Sequence, residues 1–405
     1  MKTSMRDILH IGLLCFILIG AAQAQQAAQS KIAYWDTQRR GANWFNIEPT
    51  RDWLVDAKSA GIEFVRMVPN KWHTAGRDFL LGNADDYVAL VDDDLRMLLR
   101  TLSQADSVGV KIVVSTLSLP GCRWKQQNGD TLDLRLWKDV KYHEQAAKFW
   151  RNLASHLKGF SCVVGYNILN EPVPERAESA TRPSSEAESG KRNRLRDPAD
   201  LNRFYRTVIA AIREVDSMTP IILDCGQWAA PGAMKRLEPV ADDRVIYSFH
   251  MYEPWEYTNR KENGGRLEYP GDYVLTSVSD ERDTLRLSLS PQALREIIQP
   301  VIDWQAKYHV PSNRIFVGEF GCNRMNRGVA QYLGDLISIF NEQHWHWAFY
   351  SFREDEWDGM DYELGDKPLG WRYWQAKERG ETPSLPRSDN PIWRVIEEGV
   401  RGEEK

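Results

Sequence analysis

The sequence predicts an α/β fold of the closed (β/α)8 type, a TIM barrel forming a single catalytic domain with long loops after its fourth and sixth strands. Three observations predict it. Short apolar runs recur eight times along the chain, stretches of helical period separate them, and no Pro/Ser linker leads to a second module. Strand and helix signals in regular alternation mark repeated βα units and a parallel sheet. Eight such units without a change of pattern favour closure over an open doubly wound sheet, and no phosphate-cradling glycine fingerprint follows the first run.

The amino-terminal segment stands apart from this pattern. Lys2 and Arg6 precede the apolar run Ile8 to Gly20, and Ala22-Gln23-Ala24 offers the small residues a signal peptidase accepts. The run is shorter than the roughly 20 residues that span a bilayer. Residues 1–24 are therefore expected to be a cleaved signal peptide and 25–405 the mature barrel, exported to the periplasm or beyond the cell. The mature part carries the eight predicted strands: Gly41 to Phe45, Ile62 to Val68, Val110 to Leu117, Cys162 to Leu169, Pro220 to Cys225, Val245 to Tyr252, Ile315 to Phe320 and Trp345 to Phe352. Between them, Trp150, Leu153, Ala154 and Leu157 fall at the spacing of one buried helical stripe, and Phe204, Val208, Ala211, Ile212 and Val215 repeat it. Gly61 and Gly109 stand where helices must stop before strands two and three.

Two insertions follow predicted strands, at the end where barrel enzymes place their active sites. Glu175 to Asp200 is rich in Ser, Glu, Lys and Arg and reads as a solvated excursion. Glu253 to Ser290 carries Trp255, Tyr257, Tyr269 and Tyr273 and reads as an ordered loop with an aromatic surface, suited to form one wall of a cleft. Pro391 to Lys405 reads as a closing helix.

Composition narrows the partners. With 405 residues, 42% hydrophobic, 27% charged and a net charge of -5, the chain can build a large core. It lacks the basic runs that nucleic acid or an anionic membrane would call for. A neutral substrate and a monomeric protein are the simpler expectation. Cys122, Cys162, Cys225 and Cys322 are even in number, but Cys162 begins a strand while the others lie just past strand ends. Those are opposite rims of a barrel, so free thiols are expected, with no metal site among them.

The chemistry is concentrated at two strand ends. The fourth predicted strand breaks into Asn170-Glu171-Pro172, and the seventh reads Ile315-Phe316-Val317-Gly318 before Glu319-Phe320-Gly321. Polar groups at the end of an apolar strand are costly unless they meet water or a ligand. Two carboxylates on one rim are what glycosidic cleavage asks for, one to protonate the leaving oxygen and one to act from the other face of the sugar. A lone glutamate in such a place more often anchors a loop. The same rim also gathers Arg66, His250 and Tyr252. Singly these have plainer readings as well: a counter-charge, a structural histidine and a core cap, with Asn170 as a turn residue before Pro172.

Together, Ile168-Leu169-Asn170-Glu171-Pro172, Ser248-Phe249-His250-Met251-Tyr252 and Val317-Gly318-Glu319-Phe320-Gly321 resemble the cellulase-type glycoside hydrolases of family 5, as do Gly41-Ala42-Asn43-Trp44-Phe45 and Val65-Arg66. The resemblance covers nearly the whole mature chain. It implies a retaining β-glycosidase acting on oligo- or polysaccharides, β-glucan first among them, without metal or organic cofactor. In it Glu171 is the acid/base, Glu319 the nucleophile and Asn170 the donor to the sugar 2-hydroxyl, with Arg66 and Tyr252 against the nucleophile and His250 beside the acid. An Arg beside Glu319 is expected to lower its pKa, and burial or a neighbouring negative charge to raise that of Glu171.

Two departures from the family pattern bear on the sugar. Leu117 stands where many members have a histidine, and Tyr350 where many have a tryptophan platform. Asn43, Trp44, Trp124, Trp255 and Tyr350 are further candidates to line the cleft, and Trp72, Trp228 and Trp357 also follow strand ends. The alternatives are an inactive carbohydrate-binding barrel, or a related hydrolase of mannan, galactan or a glycolipid. A metal-dependent barrel would need a His-x-His at the first strand end, where Asn43 and Trp44 stand instead.

Overall fold

The computed structural model describes residues 31–72, 76–179, 199–276, 284–354 and 359–402. The leader 1–24, Trp357 and residues 180–198 of the first insertion lie outside them. Eight parallel strands close into a barrel: β1 (Arg40–Trp44), β2 (Phe64–Met67), β3 (Lys111–Ser115), β4 (Val163–Asn167), β5 (Ile221–Asp224), β6 (Val245–Met251), β9 (Ile315–Phe320) and β10 (His346–Phe349). Seven of them lie within the apolar runs read from the sequence, and β1 begins one residue earlier than its run, at Arg40. An antiparallel hairpin, β7 (Gly271–Thr276) with β8 (Thr284–Leu289), sits outside the barrel.

Local chemistry accounts for the outer helices. Helix Val140–Leu157 buries Trp150, Leu153, Ala154 and Leu157 on one side, the stripe its period requires. Asp200 caps helix Leu201–Arg213 by accepting from the backbone N–H groups of Asn202 and Arg203. Helix Asp92–Val108 ends on Gly109, whose φ of 81° suits a residue without a side chain and turns the chain into β3. No helix among the described residues is long and apolar enough to cross a membrane.

The barrel interior is layered. Phe64, Val113, Val164, Ile222, Ile246, Phe316 and Ala348 form an apolar layer on Trp35, which plugs the amino-terminal end and donates its indole N–H to the Val164 carbonyl at 2.9 Å. Two residues further along four of these strands the inward side chains turn polar and stay buried: Arg66, Ser115, Asp224 and Ser248. The fold thus sets a polar floor under its carboxyl-terminal mouth.

Strict alternation fails at two strands, and the failures aim the candidate residues. Against β6 the register passes from Phe249↔Val317 to His250↔Glu319, skipping Gly318. A β-bulge puts one extra residue into the strand and shifts every later side chain to the other face. Phe320 accordingly packs outward on Phe340 and Trp347, and Glu319 turns inward. A side chain at Gly318 would meet Ser248 Oγ at 2.7 Å and His250 Nε2 at 2.9 Å, so only glycine fits. On β4 the register passes from Ile112↔Val163 to Val113↔Gly165. Tyr166 then faces out against Trp150, and Asn167 faces in.

The insertion after β6 corrects one expectation. Tyr257 and Tyr269 do not form an aromatic surface; with Tyr332 they make a small buried cluster, ring centroids 5.3 to 6.0 Å apart. Three large rings bury more apolar area against one another than solvent exposure would leave them. Trp255 alone among the insertion's buried-or-exposed aromatics is strongly exposed, at 55%. Cys122, Cys162, Cys225 and Cys322 are free, and helix Pro391–Arg401 closes the fold.

Candidate active site

The mouth of the barrel is organised around one guanidinium. Arg66 is fully buried, and its Nη1 donates to Glu319 Oε1 at 2.7 Å and to Asn43 Oδ1 at 3.1 Å. Nη2 donates to Asn170 Oδ1 at 2.6 Å and to Asn167 Oδ1 at 2.7 Å, and Nε reaches the same Asn167 oxygen at 3.0 Å. A planar fork of donors can satisfy several strands at once where an ammonium could not. Glu319 is held from the other side by Tyr252, whose hydroxyl donates to Oε2 at 2.8 Å.

Glu171 arrives differently. Its backbone is left-handed, φ 51°, an uncommon conformation for a residue with a side chain and one that functional sites retain at a cost of about 1–3 kcal/mol. The carboxyl meets His250 Nδ1 at 2.9 Å. An oxygen of Glu171 and an oxygen of Glu319 lie within 4.8 Å of one another. So close an approach accords with the about 5–5.5 Å carboxyl separation typical of retaining glycosidases.

The two carboxyls differ in surroundings. Burial, with the Asp224 charge next in weight, pushes Glu171 up to about 8 against the opposing charges of Arg66 and Lys125. Burial also raises Glu319, and here the sequence-based expectation of a lowered value is corrected. His250, Arg66 and the Tyr252 hydroxyl pull it down, but desolvation outweighs them. Burial lowers His250, so near pH 7 the imidazole is neutral while Glu171 keeps its proton.

The remaining candidates separate into cleft and core. Asn43 is buried and spent on structure: Oδ1 accepts from Arg66 and Nδ2 donates to the carbonyls of Gly318, Ala348 and Phe349. Trp44, proposed as a cleft ring, packs on Trp53 with centroids 4.3 Å apart and gives its N–H to the Ile47 carbonyl. It is core, because the end of β1 is covered by helix Arg51–Ser59. Trp72 likewise packs on Phe79. Tyr350 is buried edge-on to Phe45, beside Tyr252. Trp124 is half-buried next to Lys125, Trp228 lies exposed under the Arg176 guanidinium, and Leu117 is buried with its N–H on Asn70 Oδ1.

Sequence reading missed Asn167 and Asp224. Asp224 is fully buried, with Oδ1 accepting from Asn167 Nδ2 at 3.1 Å and Oδ2 accepting from the Glu171 backbone N–H at 3.3 Å. The signal was present, since Ile221-Ile222-Leu223-Asp224 ends an apolar strand on an acid just as the Glu171 and Glu319 strands do.

Comparison with known proteins decides the family: the model for "Cellulase (glycosyl hydrolase family 5)" matches residues 23–356. The chain belongs to glycosyl hydrolase family 5. It is a glycoside hydrolase of β-glycosidic bonds, in a family that works with retention. Endoglucanase C of Acetivibrio thermocellus is 23% identical over 306 residues, covering 71% of this chain and 80% of that protein. An endoglycoceramidase of Cyanea nozakii is 29% identical over 125 residues, 30% of this chain and 24% of that protein. The fold is shared with Thermotoga maritima Cel5A solved in complex with cellobiose, TM-score 0.60 at 16% identity, covering 90% of this chain and 99% of that one.

Proposed function

We propose that this family 5 member hydrolyses β-glucan chains by double displacement, with Glu319 as nucleophile and Glu171 as acid and then base. One observation carries the assignment: two carboxyls with an oxygen of each within 4.8 Å, one clamped by Arg66 and Tyr252, the other buried on His250 and protonated near neutrality. In the first step a Glu319 oxygen bonds the anomeric carbon as the bond to the leaving sugar breaks, and Glu171 gives its proton to the departing oxygen. In the second, Glu171 takes a proton from water, the water oxygen bonds the anomeric carbon, and Glu319 leaves. Arg66 supplies the fixed positive charge beside the nucleophile, so no metal is required. With Asn170 Oδ1 on Arg66, the amide nitrogen is the atom left to donate to the sugar 2-hydroxyl.

The glucan reading rests on the endoglucanase relatives and on a Cel5A structure with cellobiose; another Cel5A structure holds mannotriose. Rates on β-glucan, mannan, xylan and galactan test it, and a preference for any but the first overturns the named sugar. Trp124 and Trp255 are the proposed stacking rings, and Tyr350 the residue under the reacting sugar. Residues 1–24 are proposed to be cleaved on export, leaving a monomer that begins at Gln25. Glu171→Ala and Glu319→Ala should each lose several orders of magnitude in turnover while staying folded, and near-wild-type rates in either would end the assignment.

A further inference from the structure

We propose that Asp224 is a positioning residue for the acid/base: from the end of β5 it fixes the backbone of Glu171 and the ring of His250 and so presents the Glu171 carboxyl to the cleft. The inference rests on Glu171 being the acid/base. Three observations converge on one carboxylate oxygen. Oδ2 accepts from the Glu171 N–H at 3.3 Å, lies 3.5 Å from Arg66 Nη2, and lies 3.5 Å from His250 Nε2.

The first contact concerns backbone strain. Glu171 sits at φ 51° immediately before Pro172, where nothing in its own residue type favours a left-handed turn. A hydrogen bond from its N–H to a fixed carboxylate is of the charge-assisted kind, strong enough to offset such strain. Asp224 cannot swing away. It is fully buried, and Asn167, itself pinned by Arg66 and by the Ser115 hydroxyl at 2.6 Å, donates to its other oxygen.

The second contact concerns the imidazole. His250 is buried with Nδ1 on Glu171, and Nε2 has no hydrogen-bond partner among the described residues although it faces Asp224 Oδ2. An acceptor on that side favours the tautomer with the proton on Nε2, leaving Nδ1 as acceptor for the protonated Glu171. Asp224 would then hold both ends of the Glu171–His250 pair. Its charge also acts on the acid directly, as the largest contribution after burial to the raised Glu171 value. The other charged or titratable groups facing Glu171 are Arg66 from β2, Lys125 after β3, His250 and Tyr252 from the β6 end, Glu253 just beyond, and Glu319 from β9.

Asp224→Asn removes the charge and keeps the shape. Measured on β-glucan oligosaccharides, whose leaving groups need a proton, kcat should fall about 10–100-fold with KM little changed. The basic limb of the kcat/KM profile should move down by about one pH unit or more, because the carboxyl that must stay protonated has lost its negative neighbour. Asp224→Glu, which keeps the charge, should leave the limb close to its original position. A variant with reduced kcat but an unmoved basic limb would mean Asp224 is only a packing residue, and an unchanged rate would also overturn the proposal. Should Asp224→Asn fail to fold, Asp224→Ser, with room for water in the vacated space, carries the same expectation. Glu171→Gln run alongside separates the two failures. If that variant keeps its rate on poor leaving groups, the acid/base assignment falls; if it loses rate while the Asp224→Asn limb stays put, only the present inference falls.

Discussion

Replacing Glu171 with Gln should weaken catalysis and, above pH 5, strengthen the fold. The carboxyl lies at about 8 in the folded protein against an ordinary 4.5, chiefly because burial penalises its charged form. The folded state therefore holds a proton that the unfolded chain releases as pH rises past 4.5. Below that value both states are protonated and the group is neutral in its effect. From there upward the wild type loses about 1.4 kcal/mol per pH unit, until the folded carboxyl itself ionises near 8. The full gap amounts to roughly 5 kcal/mol. Because the side chain keeps 17% exposure, water screens part of this, and a gain of about 2–4 kcal/mol for the Gln variant at pH 8 relative to pH 4 is expected. Denaturant midpoints of both proteins at pH 4, 6, 8 and 9 measure it. Their difference should open between pH 4.5 and 8 and then stay level, while kcat on β-glucan falls about 10²–10⁴-fold. Midpoint curves that run parallel from pH 4 to 9 would refute the claim that Glu171 is held protonated by its burial.

Other expectations concern the rest of the mouth. Arg66→Lys should cut kcat at least about 100-fold, since a point charge cannot bridge Glu319, Asn43, Asn167 and Asn170; a rate within threefold of wild type would contradict the clamp. The acid limb of kcat/KM should sit above 4.5, because Glu319 is raised by burial and must ionise to attack; a limb at or below 4.5 would argue that Arg66 dominates. Trp44→Ala should cost about 3–5 kcal/mol of stability through its packing on Trp53, whereas Trp255→Ala should stay within about 0.5 kcal/mol and raise KM instead, as paired melts and kinetics would reveal. Gly318→Ala should lose at least about tenfold in kcat in a folded protein, because the added methyl displaces Ser248 or His250; full activity would show that the bulge tolerates a side chain.

Much of this molecule could be read before its structure. Each barrel strand lies inside an apolar run to within one residue, and the stripe of Trp150, Leu153, Ala154 and Leu157 faces inward as its spacing demands. Glu171 and Glu319 stood out because each ends such a run. Asp224 carries the same mark, but its partners, the Glu171 N–H, Asn167 and Arg66, come from other strands and leave no trace in its own neighbourhood. The aromatic residues misled for a different reason. Trp44 and Trp255 stand at or after strand ends, yet one is covered by a helix and a second tryptophan while the other projects from a short turn, and nothing local to either distinguishes them.

Sequence alone determined the number of βα units, their order, and the delivery of acids to the ends of the fourth and seventh barrel strands. Those properties follow from periodicity, which neighbouring residues set among themselves. Tertiary structure decided where the acids point and how tightly they hold protons. Glu319 faces inward because the register against β6 and β10 skips Gly318. Glu171 reaches the cleft through a left-handed backbone anchored on another strand. Its protonation depends on burial and on charges from several strands of the barrel. Pairing register, burial and electric field are sums over groups far apart in the chain, and they exist only once the barrel has closed.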